Sequence, residues 1–363
     1  MPKPATCVMI MAGGTGGHIY PALAVANALH AKNVKTIWLG SASGLENQIV
    51  PPHGIRLIRV FVAGLRGKGL VRWLTAPAIL SIAVFQSIAA MLTERPGAVL
   101  GMGGFASGPG GIAAWLCRIP LVIHEQNAKA GSTNKILSRF ATHVYQAFPD
   151  TFQSVAALTV GNPIRREIVA LAGNSPREVN NGQVNILILG GSRGARYLNM
   201  NVPGVIAQII PELSSTALSV RHQCGDNNLP GTKASYNGVE GNIEISPYID
   251  DMAAAYRWAD LVICRAGAMT VSELAAAGLG SILVPFPYAT DDHQTANAAY
   301  LSANGAAEIV PEGEAFESRL TETLAQILAN PSRITEMAEK AGQLAELNAA
   351  NVVADKCWEC VNV

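Results

Sequence analysis

The chain has 363 residues, 49% hydrophobic and 14% charged, which suits two globular domains with large cores and excludes a weakly hydrophobic, highly charged disordered chain. The net charge of zero hides a separation: residues 1–163 hold 13 Lys/Arg against 4 Asp/Glu, a net of +9, and residues 164–363 hold 13 against 22, a net of −9. The first half should face something anionic, and because it lacks a compact basic and aromatic stripe, a membrane surface fits better than nucleic acid.

The six cysteines are scattered in mostly apolar surroundings, the pattern of reduced thiols packing as small hydrophobes. Cys357-x-x-Cys360 is a solitary pair without a redox βαβ setting, so metal or redox chemistry is not expected of it. Met1–Thr6 lacks the basic region of a signal peptide, and the apolar run that follows is broken by Gly13-Gly14. A cytoplasmic chain is expected.

Cys7–Met11 is a short apolar strand, followed by Gly13-Gly14-Thr15-Gly16-Gly17-His18 and a helix in whose first turn Pro21 would fit. Such glycines let the backbone approach a ligand, and the helix N-terminus behind them attracts anions. The next strand, Thr36–Leu39, ends in Gly-Ser-Ala-Ser with no acid before Glu46, which argues against a dinucleotide site. Val60–Leu74 carries Arg66, Lys68, Arg72 and Trp73 among glycines and leads into an apolar helix, Ala76–Leu92. It is either a solvated basic loop before a core helix or a monotopic membrane contact, with the cations on lipid phosphates and Trp73, Leu74, Ile79, Leu80 and Phe85 entering the interface. Thr75–Thr93 is uncharged but marginal in length and polar for a spanning helix, so a span is not expected.

Strand Ala98–Gly101 precedes a second Gly-rich turn, and strand Leu121–His124 ends in Glu125-Gln126-Asn127. Thr142–Tyr145 is one more strand, and Gly161-Asn162-Pro163 is a hinge candidate. The second half begins as the first does: strand Asn185–Leu189, then Gly190-Gly191-Ser192-Arg193-Gly194-Ala195 before a helix. This echo implies an α/β fold of two doubly wound, Rossmann-like domains facing across a cleft. Ser219–Cys224 and Ile243–Tyr248 continue the second sheet, and Glu317–Asn330 and Ser332–Asn348 are helical.

Leu261–Asn297 is the densest stretch: strand Leu261–Cys264, helix Thr270–Ala277, strand Ser281–Val284, and a helix opened by Asp291-Asp292. Successive parallel strands put both βα turns on one sheet edge, where ligands bind. Glu273 stands three residues after Thr270, so it is either a capping residue or a ligand.

The ordered set GGTGGH, GMGGFASGPGG, HEQNAKAGSTNK, GNPIRRE, LGGSRGARYLN, YIDDM, CRAGAMTVSELAAAG and DDHQTANA resembles, over nearly the whole chain, the MurG family of bacterial UDP-N-acetylglucosamine:undecaprenyl-pyrophosphoryl-N-acetylmuramoyl-pentapeptide N-acetylglucosaminyltransferases. The resemblance implies a GT-B fold and transfer of GlcNAc from UDP-GlcNAc to the C4 hydroxyl of MurNAc in undecaprenyl-linked lipid I. It implies an acceptor- and membrane-facing domain at 1–163, a donor domain at 164–340, and a C-terminal helix at about 341–363 packing back on the first. It also places the chain at the cytoplasmic face of the bacterial membrane as a peripheral protein, with cell-wall synthesis proteins as further partners.

Carried over residue by residue, Glu273 would hold the ribose hydroxyls and the Ile249 backbone the uracil edge. Ser192 would meet the diphosphate, with Arg165 across the cleft. His293 and Gln294 would recognise GlcNAc hydroxyls, and Met269 and Thr270 complete the donor side. Thr15, Gly16, Gly17, His18 and Asn127 would line the sugar, with Gly14, Gly103, Gly104, Phe105, Ser107, His124, Glu125 and Asn134 in the acceptor and diphosphate loops. His293 stands where some members have Gln, and Phe105 where some have Tyr, which removes any hydroxyl contact at 105. His18 is the candidate base for an inverting displacement, the alternative being a hydrogen bond to its own loop or to the substrate. No Asp-x-Asp occurs, so no chelated metal and no cofactor is expected. A UDP-GlcNAc epimerase would leave the apolar basic segment unexplained, and a membrane adaptor would leave the donor cluster idle.

Overall fold

The computed structural model describes residues 7–62, 70–173, 182–191, 195–213 and 217–362. Two compact units make up the chain: residues 1–165 with 347–363, and residues 166–346.

The first unit runs β1 (Cys7–Met11), α1 (Gly16–Ala31), β2 (Lys35–Ser41), α2 (Glu46–Ile49), β3 (Arg56–Val60), α3 (Leu70–Glu94), β4 (Ala98–Gly101), α4 (Ser107–Leu116), β5 (Leu121–Glu125), α5 (Ser132–Leu137), β6 (His143–Gln146) and β7 (Leu158–Thr159). Its strands form a seven-stranded sheet ordered β3-β2-β1-β4-β5-β6-β7, with every pair parallel. Buried on both faces, the strands are continuous apolar runs rather than alternating ones. In β1, Val8 and Ile10 point to one core with Ile19, Val25 and Leu29 of α1, while Met9 and Met11 point to the other with Met91 of α3 and Ala113 of α4.

The second unit runs α6 (Arg166–Val169), β8 (Gln183–Leu189), α7 (Arg196–Ile209), β9 (Ala217–Gln223), α8 (Leu229–Ser235), β10 (Asn242–Ser246), α9 (Met252–Trp258), β11 (Leu261–Cys264), α10 (Ala268–Ala277), β12 (Gly280–Leu283), α11 (His293–Ser302), β13 (Ala307–Ile309), α12 (Phe316–Ala329) and α13 (Ser332–Gln343). Its parallel six-stranded sheet is ordered β10-β9-β8-β11-β12-β13. The last helix, α14 (Ala349–Asn362), returns to the first unit and packs on α1 and β4. It contributes Val353, Ala354, Cys357 and Val361 to the α1 core. Each fully buried valine is worth about 1.5–3 kcal/mol, and Cys357 is a core thiol pushed up by burial.

In each sheet the chain steps outward one way and then the other, so the order reverses between β1 and β4 and between β8 and β11. A ligand crevice opens at such a switch point. Two local expectations change. Helix α1 starts at Gly16, so Pro21 sits in its second turn, where it withholds one helical N–H. Helix α10 starts at Ala268 after an extended Gly267, so Glu273 is six residues in, past the position of a capping-box glutamate.

Candidate functional site

At the first switch point the β1–α1 and β4–α4 turns lock together. Met102 N–H donates to the Met11 carbonyl at 2.8 Å, and the buried Ser107 hydroxyl lies 2.9 Å from the same oxygen and 2.7 Å from that of Gly103. Gly103 and Gly104 adopt φ of +93° and +90°. A Cβ on Gly104 would stand 2.3 Å from the Gly13 oxygen, and one on Gly103 would stand 2.9 Å from the His18 ring, so only glycine fits either place.

Glu46, fully buried in α2, supports this turn from beneath. Its carboxylate accepts from Gly14 N–H at 3.1 Å, Ser41 N–H at 2.7 Å and Ser41 Oγ at 2.6 Å. Gly13, Gly40 and Gly44 wall it in, each leaving less than 3 Å between a would-be Cβ and the glutamate. A second buried carboxylate, Glu125 at the end of β5, accepts from Asn127 N–H and Nδ2, Gly131 N–H and Asn134 Nδ2 at 2.9–3.2 Å. It thereby fixes Asn127 and Asn134.

His18 is half-buried in the first turn of α1, and its Nδ1 donates to Gln126 Oε1 at 2.8 Å. His124 is wholly buried, with Nε2 2.9 Å from the Gly161 carbonyl. Burial lowers its pKa from 6.5 to about 4, keeping the ring neutral. Thr15 and Gly17 are exposed, and Phe105 is exposed on the turn between β4 and α4.

In the second unit the two turns foreseen in Leu261–Asn297 share one sheet edge and are tied together. Arg265, after β11, donates to the carbonyls of Val284 (3.2 Å) and Pro285 (3.4 Å), pairs with Glu312 and stacks 5.4 Å from the Phe286 ring. Asn297 Nδ2 reaches back to the Ala266 carbonyl at 3.1 Å, and Gln294 Oε1 accepts from Phe286 N–H at 2.9 Å. Glu273 is buried on α10, where Tyr256 of α9 donates to its Oε2 at 3.1 Å. Ile249 lies just before α9, whose N-cap Asp251 accepts from Ala254 N–H at 2.8 Å, and α9 packs on α10. Met269 and Thr270 are half-buried in the first turn of α10, and His293 opens α11. The structure thus gathers Ile249, Met269, Thr270, Glu273, His293 and Gln294 on adjoining elements. Asp291 and Asp292, both at positive φ, shape the turn before α11.

Ser192 lies outside the described residues. Arg165, half-buried, is the last residue of the first unit's main segment.

Among the contact residues expected on the basic apolar segment, Arg66 and Lys68 lie outside the described residues, as do the side chains of Arg72, Trp73 and Leu74. Helix α3 buries a stripe of Ala83, Ser87, Ala90 and Met91 and leaves Leu80, Ile82, Phe85 and Leu92 exposed, with Ile79 half-buried. Against the expectation above, its stretch Thr75–Glu94 is by length and composition long and apolar enough to cross a membrane, and of it only Ala83, Ser87, Ala90 and Met91 are buried within the chain. The sequence reading missed the rest of this apolar surface. Trp115 and Leu116 end α4, which packs on α3, and Ile136 and Phe140 are also exposed, with the Phe140 ring 5.3 Å from that of Trp115. Arg118, Lys135 and Arg139, adjacent in sequence to those residues, are exposed and make no ion pair among the described residues.

The same two-domain pattern is found in known proteins. The Glycosyltransferase family 28 N-terminal domain matches residues 8–146 and the Glycosyltransferase family 28 C-terminal domain matches 185–354. The chain belongs to glycosyltransferase family 28. It is 47% identical over 352 residues (96% of each chain) to the UDP-N-acetylglucosamine--N-acetylmuramyl-(pentapeptide) pyrophosphoryl-undecaprenol N-acetylglucosamine transferase of Shewanella piezotolerans. It is 48% identical to the Nitrosococcus oceani protein of the same name, covering 97% of this chain and 98% of that one. The crystal structure of Acinetobacter baumannii MurG superposes with a TM-score of 0.85 at 42% identity, covering 97% of this chain and 99% of that one. The two Rossmann-like units are therefore those of a GT-B family 28 enzyme, as the sequence motifs led one to expect.

Proposed function

We propose that this chain moves GlcNAc from UDP-GlcNAc to the C4 hydroxyl of MurNAc in undecaprenyl-linked lipid I, forming lipid II by one inverting displacement. The observation that carries the reading is near-half identity over almost the full length of relatives named for this transfer. The second unit's sheet edge supplies the donor side. Glu273, held by Tyr256, takes the ribose hydroxyls, the Ile249 backbone takes the uracil edge, and His293 and Gln294 take the GlcNAc hydroxyls. Ser192 and Arg165 steady the departing diphosphate, helped by the helix N-termini that stand in for a cation.

The first unit receives the acceptor on the Gly14 and Gly103–Gly104 turns, with His18 as base and Thr15 and Asn127 on the sugar side. As the acceptor oxygen bonds to C1, its proton passes to His18 and the C1–O bond to UDP breaks. The exposed apolar face of α3 and α4, flanked by Arg118, Lys135 and Arg139, docks on the anionic cytoplasmic surface of the membrane that carries the lipid substrate.

Radiolabelled UDP-GlcNAc and a short-chain lipid I analogue test the transfer in the wild type and in Glu273→Ala. Label is expected in the lipid fraction, with the donor KM raised about tenfold or more in the variant, the loss of a hydrogen bond to a charged group. Release of UDP, or of an epimer, without labelled lipid would remove the acceptor assignment.

A further inference from the structure

Among the described residues, the one side-chain hydrogen bond of His18 runs to Gln126, a residue given no role above. Gln126 is 1% exposed and follows His124 and Glu125 at the end of β5. Three hydrogen bonds in series fix the protons along this line. The Gly161 carbonyl, 2.9 Å from His124 Nε2, can only accept, so Nε2 carries the hydrogen. His124 Nδ1 is then a lone pair. Gln126 Nε2 donates to it at 3.2 Å and to the His124 carbonyl at 3.1 Å. A flipped amide would set its oxygen against those two acceptors, so the orientation is determined by the network. Gln126 Oε1 therefore faces His18 Nδ1, which must carry the hydrogen, and the lone pair of a neutral His18 falls on Nε2. Among the described residues Nε2 has no hydrogen-bond partner, and the ring packs against Gly103, where a Cβ would come within 2.9 Å of it.

We infer that Gln126 is a positioning residue that holds His18 in its Nδ1–H tautomer, so that Nε2 is the nitrogen offered as base to the acceptor hydroxyl. The base role rests on the transferase reading, while the tautomer does not. During transfer the hydroxyl proton goes to Nε2 as the new O–C1 bond forms and UDP leaves with the electron pair. The imidazolium keeps its Nδ1–H on the amide oxygen and loses the new proton to water afterwards. A neutral amide orients the ring without the charge stabilisation of a carboxylate. The titratable groups on the elements around it are Glu46 beneath Gly14, and His124 and Glu125 on β5, while the β4–α4 turn brings none.

The test is a long-range proton–nitrogen spectrum of the full chain labelled with [15N]histidine, with His18→Gln assigning the resonances. Gln126→Met keeps the volume and removes the acceptor, and Gln126→Glu keeps an acceptor. The wild type is expected to show Nδ1–H at His18. Gln126→Met should show Nε2–H and lose kcat about 100-fold, the scale of general-base catalysis, with donor KM within twofold. Gln126→Glu should restore Nδ1–H, recover kcat to within tenfold and move the acid limb of kcat/KM to higher pH. An Nε2–H wild type, or a Gln126→Met protein with normal kcat and an unchanged spectrum, overturns the inference. A kcat lost equally in both variants with the wild-type tautomer retained also overturns it, since that is a packing role. A wild type with the expected spectrum but no transfer to lipid removes the transferase reading and leaves the tautomer assignment standing.

Discussion

Replacing Glu46 tests whether a buried carboxylate holds the first glycine turn in place. Its three donors, at 2.6–3.1 Å, are two backbone N–H groups and one hydroxyl. In Glu46→Ala the Gly14 and Ser41 amides lose their acceptor inside a glycine-walled space, at about 1–3 kcal/mol for each unpaired donor. The hydroxyl can rotate away, and removing a charge from the interior returns part of its desolvation cost, several kcal/mol. These opposing effects leave a net loss of roughly 3 kcal/mol. Glu46→Gln retains an oxygen for Ser41 but turns an NH2 toward the Gly14 N–H, so one donor goes unpaired and the loss is roughly 1–2 kcal/mol. Urea unfolding of both variants gives the stabilities, and transfer to lipid gives kcat, which should fall in both because the turn that begins α1 and aims His18 is released. If Glu46→Ala unfolds within 0.5 kcal/mol of wild type (roughly the noise expected for a surface change) and keeps its kcat, the carboxylate is not the support described.

Three further outcomes are expected. In Gly104→Ala a Cβ 2.3 Å from the Gly13 oxygen, at φ +90°, forces the two turns apart; kcat should fall about 100-fold, the scale of a misplaced catalytic group, with donor KM unchanged, and a normal kcat would show the locked turns to be dispensable. His124 and His222 are buried and neutral, each lowered by burial from 6.5 to about 4. Below pH 6.5 the unfolded chain binds protons at these rings that the folded chain refuses, so their stability is intact above that pH and is lost toward pH 4. At pH 5 the loss is about 2 kcal/mol per ring, and identical urea midpoints at pH 7 and pH 5 would contradict it. For the apolar face, Ile82→Ser with Phe85→Ser should release the chain from floated anionic phosphatidylglycerol vesicles while leaving transfer to a short-chain, soluble acceptor intact; flotation equal to wild type would move the contact elsewhere.

The pairing of the two turns in Leu261–Asn297 was legible because it is local. Two βα units within Leu261–Asn297 put their turns on one edge by strand pairing alone, so the run of polar residues marked them. What misled there was Thr270-x-x-Glu273, a spacing shared by a capping box and by any helix carrying Glu on that face. The extended Gly267 started the helix two residues earlier than the spacing implied. The first-unit site is non-local: Ser107 binds Met11 across 96 residues and His18 binds Gln126 across 108, so no window of sequence shows either contact. Glu46 was invisible for the same reason, an acid in a loop-like stretch whose burial depends on glycines from the β1–α1 turn, strand β2 and the β2–α2 turn. Edge strand β3 was missed because Arg56 and Arg59 interrupt its apolar residues, and β7 and β13 are too short to show a period.

The echo between GGTGGH and GGSRGA marks equivalent turns of two sheets, and what lies beneath them differs in charge. The second glycine of the first turn, Gly14, gives its N–H to the carboxylate of Glu46. Its counterpart Gly191 gives its N–H to the neutral amide of Gln223 at 3.0 Å, which donates back to the Gly191 carbonyl at 3.2 Å. A diphosphate set on either turn would meet a helix N-terminus, but on the first it would also meet a fixed negative charge. At about 5 Å and an effective dielectric near 20, each unit of phosphate charge would be disfavoured by roughly 3 kcal/mol, more than the 0.3–2 kcal/mol a helix dipole returns. The second turn carries no such penalty, which suits it to the nucleotide diphosphate. On the proposed function the first would receive the neutral sugar of the acceptor beside His18, with the acceptor's own pyrophosphate away from Gly14, where the resemblance had put a diphosphate loop, and the carboxylate's hold on Gly14 keeps the turn that carries His18 in place. Glu46→Gln removes that charge without emptying its site, so inorganic pyrophosphate should inhibit this variant more strongly against the acceptor than it inhibits wild type. Equal inhibition would show that charge does not divide the two turns.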